Sequence, residues 1–235
     1  MNKRNFRIMS AMVLALALVL MPVFGCAKPA APPPAVKPDK VIIHHFGDLS
    51  GPYAPITAPL IHGFADFVEW FNAEGGIDGV PVDQMFRDTG GKLDAALAAY
   101  AAFKESKPYP IVMLLYGSAE SEALKERFIE DKIFCFTNSS SPTAIYPPGY
   151  EFATIPSYCD SFGAFIDWVT EVWAKKTGQK VKLAILTWDS TYGRAIMVGE
   201  VRQYAESKGV EIVAEEVFGL RDMDVSTQLT TIKAA

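Results

Sequence analysis

The sequence has 235 residues, enough for one large or two small domains at a usual size of roughly 100–200 residues each. Half of the residues are hydrophobic and 21% are charged, which excludes a disordered chain and supplies a sizeable core. The formal net charge of −5 argues against a protein that binds nucleic acid through a basic surface, so no nucleic-acid partner is expected.

The first 25 residues have the pattern of a secretory signal peptide. Lys3, Arg4 and Arg7 form a basic start, and an apolar stretch follows at residues 8–21. This stretch is shorter than the run of about 20 residues that a transmembrane helix needs. A cleaved signal is therefore favoured over the alternative, an uncleaved membrane anchor.

Cys26 follows Val23, Phe24 and Gly25, and this order resembles the lipobox of bacterial lipoproteins. The resemblance implies a lipid anchor on Cys26 and a place in the cell envelope, in the periplasm or on the outer face of a membrane. Residues 26–39 are rich in proline and alanine, which suits neither a helix nor a central strand. They predict an extended spacer, with a tail that has no role as the alternative.

From residue 40 onward, strand patterns alternate with helix patterns. Apolar runs predict strands at 41–46, 80–87, 111–115, 133–136, 152–155, 181–187 and 210–217. Helices are predicted at residues 93–103, 118–131 and 195–207, after the capping sequence that starts at Ser157, and from about 224 onward. Another helix, ending before Gly75, is predicted to bury Phe64, Phe67, Val68 and Phe71 on one face. The alternation indicates an α/β fold with a parallel sheet covered on both faces.

Ligands of such sheets bind beyond the carboxyl ends of the strands, so the loops that follow strands hold the candidate site. Tyr53 in the first loop offers an aromatic wall. Gly117 and Ser118 precede a helix whose first N–H groups suit a carboxylate, although Glu120 and Glu122 in its first turn would repel an anion. An ordinary turn and a simple helix cap are the alternatives.

Two later loops add polar and aromatic side chains. Asn138, Ser139 and Ser140 follow a buried strand, and Asp189 and Tyr192 follow the strand predicted at 181–187. Such side chains are suited to line a polar pocket, although loops are often rich in serine without a binding role.

No pattern in the sequence indicates an enzyme, a cofactor or a metal. Gly117 and Ser118 lack the Gly-x-Ser-x-Gly arrangement of a serine nucleophile, and glycine motifs for phosphate or dinucleotides are missing. The adjacent His44 and His45 point to opposite faces of a strand, which is poor geometry for a shared metal ion. Cys135 and Cys159 are expected to be free thiols rather than a disulfide.

Several segments, taken in order, are similar to the type I periplasmic binding proteins of ABC importers, specifically the leucine/isoleucine/valine-binding group. They are residues 49–52, residues 71–79 (Phe-Asn-Ala-Glu-Gly-Gly-Ile-Asp-Gly), Gly117-Ser118, the hydroxyl-rich run before Pro142, and residues 189–193. The resemblance implies a two-lobed fold with doubly wound parallel sheets and a ligand cleft between the lobes. Lobe 1 would be residues 40–157 and lobe 2 residues 158–235, incomplete in an N-terminal fragment.

The family's binding residues carry over by position. Ser118, with N–H groups at the start of its helix, matches the serine that holds a ligand carboxylate. Asn138 and Ser140 match positions that contact the ligand, and Tyr192 matches an aromatic that closes over it. Ile56 stands near the family's first aromatic position, and Tyr53 comes earlier.

These features predict a lipid-anchored receptor that binds an amino acid, an amide or an aromatic acid and delivers it to an ABC permease. It would need no cofactor and catalyse no reaction. One alternative is a ligand-sensing ectodomain that feeds a signalling partner. Another is an α/β hydrolase that uses Ser118.

Overall fold

The structure is a computed structural model that describes residues 37–235, of which residues 38–235 form one compact unit. The predicted signal peptide, the lipidation site at Cys26 and most of the proline-rich spacer lie outside the described residues. Within the described part, no helix has both the length and the apolar character needed to cross a membrane.

A five-stranded sheet forms the first part of the unit. Its strands are β1 (Val41–Gly47), β2 (Val82–Asp88), β3 (Val112–Leu115), β4 (Phe134–Thr137) and β5 (Glu151–Ala153). All of its pairings are parallel, in the order β2-β1-β3-β4-β5. The strands fall where the apolar runs predicted them, within two residues at most ends. The predicted α/β class is confirmed.

Helices cover both faces of this sheet. The first, α1 (Ala54–Ala73), lies over β1 and β2, where Phe64 packs on His45 with ring centroids 5.1 Å apart and Asn72 bonds to Val82. On the other face lie α2 (Leu93–Lys104) and α3 (Ser118–Asp131). The short helix α4 (Pro142–Ile145) follows β4.

The main core lies between the sheet and helices α2 and α3. It is built from buried apolar side chains on strands and helices, chiefly Phe46, Tyr100, Phe103, Met113, Leu124, Phe128 and Cys135. Burying each large apolar side chain contributes about 1.5–3 kcal/mol. Because Cys135 points into this core, its neighbours Phe134 and Phe136 point out of the opposite face, where both are exposed beside Phe152.

The predicted inward face of α1 is partly wrong. The helix buries Thr57, Ile61 and Val68, whereas Phe67 is half exposed and stacks on Phe71 with ring centroids 5.7 Å apart. The buried stripe starts in the first turn of α1, ahead of the aromatic residues used for the prediction. The helix is therefore rotated about its axis relative to the predicted orientation. Residues at i, i+4 and i+11 then face the sheet.

A second, two-stranded parallel sheet pairs β6 (Lys182–Trp188) with β7 (Glu211–Phe218). It follows α5 (Tyr158–Trp168), a π-helical segment (Val169–Ala174) and α6 (Lys175–Thr177). Ser157 caps α5 by accepting a hydrogen bond from the Asp160 N–H at 3.2 Å, as its sequence predicted. A second core joins Ile166, Val169, Val181, Ala205 and Val210.

The predicted helix at residues 195–207 is wrong at its start. The structure has a short helix, α7 (Thr191–Arg194), then a break, then α8 (Gly199–Ser207). Ser190 caps α7 by accepting the Gly193 N–H, so the helical turn begins directly after the strand. Val198 is extended and starts α8 separately. The last helix, α9 (Ser226–Ala234), begins two residues later than predicted.

Candidate functional site

The loop after β1 is organised by the buried carboxylate of Asp48. It accepts hydrogen bonds from the N–H groups of Gly51 at 2.5 Å and Tyr53 at 2.8 Å, while the Thr57 hydroxyl donates to the Asp48 carbonyl. A Cβ on Gly51 would lie 2.2 Å from the carbonyl oxygen of Gly90, so only glycine fits there. The loop therefore holds Tyr53 at the carboxyl edge of the first sheet.

The start of α3 presents Ser118 next to the second sheet's helices. Gly117 is the extended residue that precedes the helix, and Ser118 is the first helical residue without a capping hydrogen bond from its side chain. The Ser118 hydroxyl lies 3.3 Å from the Tyr158 hydroxyl at the start of α5. The simple-cap interpretation of Ser118 is therefore wrong, since its hydroxyl faces a side chain from across the site.

Glu120 folds back over the N-terminus of α3. An ideal Cβ placed on Gly117 would lie within 2.6 Å of all three atoms of the Glu120 carboxyl group. Burial raises the pKa of Glu120, hydrogen bonds from the backbone N–H groups of Glu120 and Gly117 oppose this, and the charge of Asp48 raises it further. The carboxyl group of Glu120 thus occupies the end of this helix.

The loop after β4 is buried and largely self-bonded. Asn138 accepts a hydrogen bond from the Thr154 hydroxyl at 2.7 Å, and the Ser139 N–H donates to Thr137. The Ser140 carbonyl accepts the Tyr158 N–H at 3.2 Å, which ties this loop to α5. Ser140 is fully buried, and among the described residues its hydroxyl has no hydrogen-bond partner.

A buried polar cluster supports the Ser140 loop from beneath. The Glu151 carboxylate accepts the Ser121 hydroxyl at 2.8 Å, while the Lys125 ammonium donates to the carbonyls of Thr143 and Tyr146. Burial raises the pKa of Glu151 to about 7, against the opposing effects of Ser121, Cys135 and Lys125. The hydroxyl of Ser141 bonds to Glu122, so Glu122 serves this loop and not the helix end.

Aromatic rings from both sheets meet at the edge of the site. Trp188 ends β6 and lies 6.2 Å from Tyr53 and 6.3 Å from Tyr192, measured between ring centroids. Tyr192 in turn meets Tyr158 edge to face at 5.1 Å. Burial raises the pKa of Tyr53, and a hydrogen bond with Ser190 opposes that rise. The rings form a continuous wall, which we call the aromatic wall: Tyr53, Trp188, Tyr192 and Tyr158.

A cavity of about 290 Å³ adjoins the aromatic wall on the side of the second sheet. Besides Tyr158 and Tyr192 it is lined by Phe162, Phe165 and Thr187, among others. Apolar and aromatic walls with a few polar groups are typical of small-molecule sites.

The structure brings most of the predicted residues to one place. The aromatic wall includes Tyr53 and Tyr192, and Gly117 and Ser118 lie beside it. Ser140 is connected to the wall through its hydrogen bond with Tyr158. Asp189 instead forms an exposed ion pair with Arg194 at 2.6 Å, and that cation lowers its pKa. Asn138 bonds to Thr154, which follows β5, and Ser139 bonds within its own loop.

Sequence reasoning missed two contributors: Tyr158 and the folded-back position of Glu120. Trp188 was expected at a strand end, in the loop at residues 188–193, but was not counted among the binding residues. Its place at the carboxyl end of β6 was the signal for including it.

The buried His45 of β1 is held by two side chains. It is bonded at 3.0 Å to both Tyr116 and Gln84, and burial lowers its pKa to about 4. Within residues 37–235, no group of three or more His, Cys, Asp or Glu is arranged to hold a metal ion. Cys135 and Cys159 are both free thiols.

Residues 41–235 match the protein family described as "Periplasmic binding protein". A search of the curated proteins returned no match. Among solved structures, a branched-chain amino acid ABC transporter protein from Thermus thermophilus with bound valine is 22% identical, with a TM-score of 0.74, covering 83% of this chain and 50% of that chain.

Two further solved structures have the same fold. One is a fatty acid ABC transporter substrate-binding protein from Thermomonospora curvata, 22% identical, with a TM-score of 0.72 and coverage of 86% of this chain and 50% of that chain. The other is a solute-binding protein from Rhodopseudomonas palustris BisB5 in complex with 3,4-dihydroxybenzoic acid, 16% identical, with a TM-score of 0.67 and coverage of 84% and 52%. The chain thus spans about half the length of the structures it matches.

Proposed function

Because the chain belongs to the periplasmic binding protein family, we propose that the whole protein is an extracytoplasmic receptor that binds a small-molecule solute between two lobes. The observation that carries this proposal is the aromatic wall. It places Tyr53, at the carboxyl edge of the first sheet, against Trp188 at the end of β6. It also places Tyr192 against Tyr158, whose hydroxyl lies 3.3 Å from that of Ser118. Residues 40–157 are proposed as lobe 1, with lobe 2 starting at residue 158.

Binding would work by closure of the lobes around the solute. A ligand that touches Ser118 on one side and Tyr192 on the other stabilises the closed arrangement over the open one, by its differential contacts with the two. The N–H groups and hydroxyls orient the ligand, and the rings exclude water from it. No bond is made or broken.

The ligand is proposed to be an amino acid, an amide or an aromatic acid. The matched structures are described with valine, with 3,4-dihydroxybenzoic acid and as a fatty acid transporter protein, so the fold itself fixes no single ligand. Delivery to an ABC permease and a lipid anchor on Cys26 belong to the same proposal. The family supports the permease as a partner, and the sequence of residues 1–26 supports the lipid anchor.

A thermal-shift panel on the full-length protein tests the proposal. A ligand at 100 times its dissociation constant stabilises the folded state by about 2.7 kcal/mol, a rise in melting temperature of roughly 5–10 °C at this size. Amino acids, amides and aromatic acids are tested together. A Tyr192→Ala variant loses its ring contacts with Tyr158 and Trp188, so it should melt somewhat lower than the wild type without ligand and show a smaller rise with it. A flat response of the wild type to every class would contradict the proposal.

A further inference from the structure

We propose that the end of the cleft formed by α3 receives a positively charged amine of the ligand, with Glu120 as its counter-charge, and not a ligand carboxylate. This rests on the proposed function, since it concerns the ligand class of that same cleft.

The start of α3 is already occupied by the side chain of Glu120. The N–H groups at the start of a helix attract an anion, and here the Glu120 carboxyl group lies directly over Gly117. Hydrogen bonds from the N–H groups of both residues oppose the rise in its pKa that burial causes. An incoming carboxylate would have to displace this side chain or lie against its like charge. An amine can instead approach the carboxylate oxygens.

The charged groups around Glu120 are acidic or already paired. The buried Asp48, whose carboxylate accepts the Tyr53 N–H, adds a second negative charge that acts on both Glu120 and Tyr53. Two nearby basic side chains are engaged elsewhere: Lys125 donates to two carbonyls under the next loop, and Arg194 pairs with Asp189. The potential at this end of the cleft therefore favours a cation.

The aromatic wall also suits a cation. The faces of tyrosine and tryptophan rings attract ammonium groups within about 6 Å, most strongly where water is excluded. Tyr53 lies on the same loop as Asp48, and the ring of Trp188 packs against it. The Ser140 hydroxyl, fully buried and without a partner among the described residues, adds an unused oxygen on the adjoining loop.

Matched probes separate an amine from other head groups. Isothermal titration calorimetry on the full-length protein compares 2-phenylethylamine, 3-phenylpropionate and 3-phenylpropanamide, which share one ring and spacer. A second series compares pentylamine with hexanoate, in case the ring does not fit. We expect the amine of at least one series to bind at least ten-fold more tightly than its carboxylate partner.

Variants assign the preference to Glu120. Glu120→Gln should weaken binding of that amine at least ten-fold. It should also reduce the difference in affinity between the amine and the matching carboxylate. Gly117→Ala keeps the charge but pushes the carboxylate away with its new Cβ, so it should weaken amine binding too. The control is Glu126→Gln, an exposed acid on the same helix, which should leave every affinity unchanged. Circular dichroism verifies that each variant is folded.

The outcomes distinguish this inference from the proposed function. Tighter binding of a carboxylate or of the amide, unaffected by Glu120→Gln, would overturn the inference and leave a solute receptor standing. In that case Glu120 merely stabilises the helix dipole and swings aside for the ligand. An absence of binding heat from every probe, with the protein folded, would overturn the inference, and the thermal-shift panel with amino acids would then decide the proposed function separately.

Discussion

The indole of Trp188 and the phenol ring of Tyr53 meet edge to face, with their centroids 6.2 Å apart. Tyr53 directly precedes α1 beside the first sheet, and Trp188 is the last residue of a strand in the second sheet. The contact therefore links loops that belong to two different sheets, at the edge where both present their candidate binding residues.

A double-mutant cycle measures this contact. Tyr53→Ala, Trp188→Ala and the double variant are compared by the free energy of unfolding in urea. We expect the two single changes to be non-additive by about 0.5–1.5 kcal/mol, the usual value of an aromatic pair beyond its buried area. A matched cycle of Tyr53→Ala with Trp70→Ala, an exposed residue on α1, should be additive. Additivity of the Tyr53 and Trp188 changes would show that the rings do not interact.

Ser118→Ala should weaken ligand binding without unfolding the protein. Losing one hydrogen bond to a charged or polar ligand group costs about 1–3 kcal/mol. The helix keeps its start, because Ser118 makes no capping bond there. Calorimetry with a ligand found in the thermal-shift panel gives the affinity.

The control for that variant is Ser121→Ala on the same helix. Its hydroxyl is buried and bonded to Glu151, so this change should lower stability and leave affinity nearly intact. The reverse pattern, with Ser118→Ala reducing stability alone, would remove Ser118 from the site.

Glu151 makes the protein less stable as the pH rises. Its pKa is about 7 in the folded state against an ordinary value of 4.5, so the folded state holds the proton more tightly. The stability this provides is fully present below pH 4.5 and is lost as the pH rises through about 7, an effect of about 3 kcal/mol. Glu151→Gln has no such proton to lose, so its stability relative to the wild type should rise by about that amount between pH 4.5 and pH 8.

Urea unfolding at both pH values provides this difference. The change in wild-type stability with pH does not isolate the effect of Glu151, because His45 changes the stability in the opposite direction. Burial lowers its pKa from 6.5 to about 4, so the stability it provides is present above pH 6.5 and is lost as the pH falls through about 4. His45 is the same in both proteins and cancels in the comparison. An unchanged difference between pH 4.5 and pH 8 would mean that Glu151 has the same pKa in the folded and the unfolded state.

Gly193→Ala should destabilise the loop that presents Tyr192. The added Cβ would lie 2.0 Å from the Trp188 carbonyl oxygen, which is backbone and cannot turn aside. We expect a loss of about 1–3 kcal/mol, typical of overpacking. Gly199→Ala is the matched control, because the space around Gly199 is open and alanine favours helix, so it should be neutral or stabilising. Equal melting temperatures for the two variants would contradict the close approach.

The strands of this fold could be predicted from the sequence because most of them are compact apolar runs next to glycine or proline residues. The face of α1 could not, since Phe67 and Val68 are equally apolar and only the packing of Thr57 and Ile61 decides which points inward. The break at residues 195–198 was missed because the cap at Ser190 competes locally with a longer helix.

The candidate site was predicted in part. Ser118 and Tyr192 could be found because strand-end loops of a parallel sheet gather at one edge. The position of the Glu120 carboxylate depends on a side-chain rotation onto Gly117, which no residue pattern encodes. The ion pair of Asp189 with Arg194 depends on where α7 begins, which the sequence analysis placed too late.

Trp188 also gives the protein an optical probe of its own. The chain has four tryptophans, and Trp70, Trp168 and Trp173 are exposed on helices. Trp188 alone among them contacts both Tyr53 and Tyr192, so its emission senses the polarity and quenching groups between the two loops. Spectral changes on adding a solute can be followed in unlabelled protein on the millisecond scale, and a single Trp188→Phe change identifies their source.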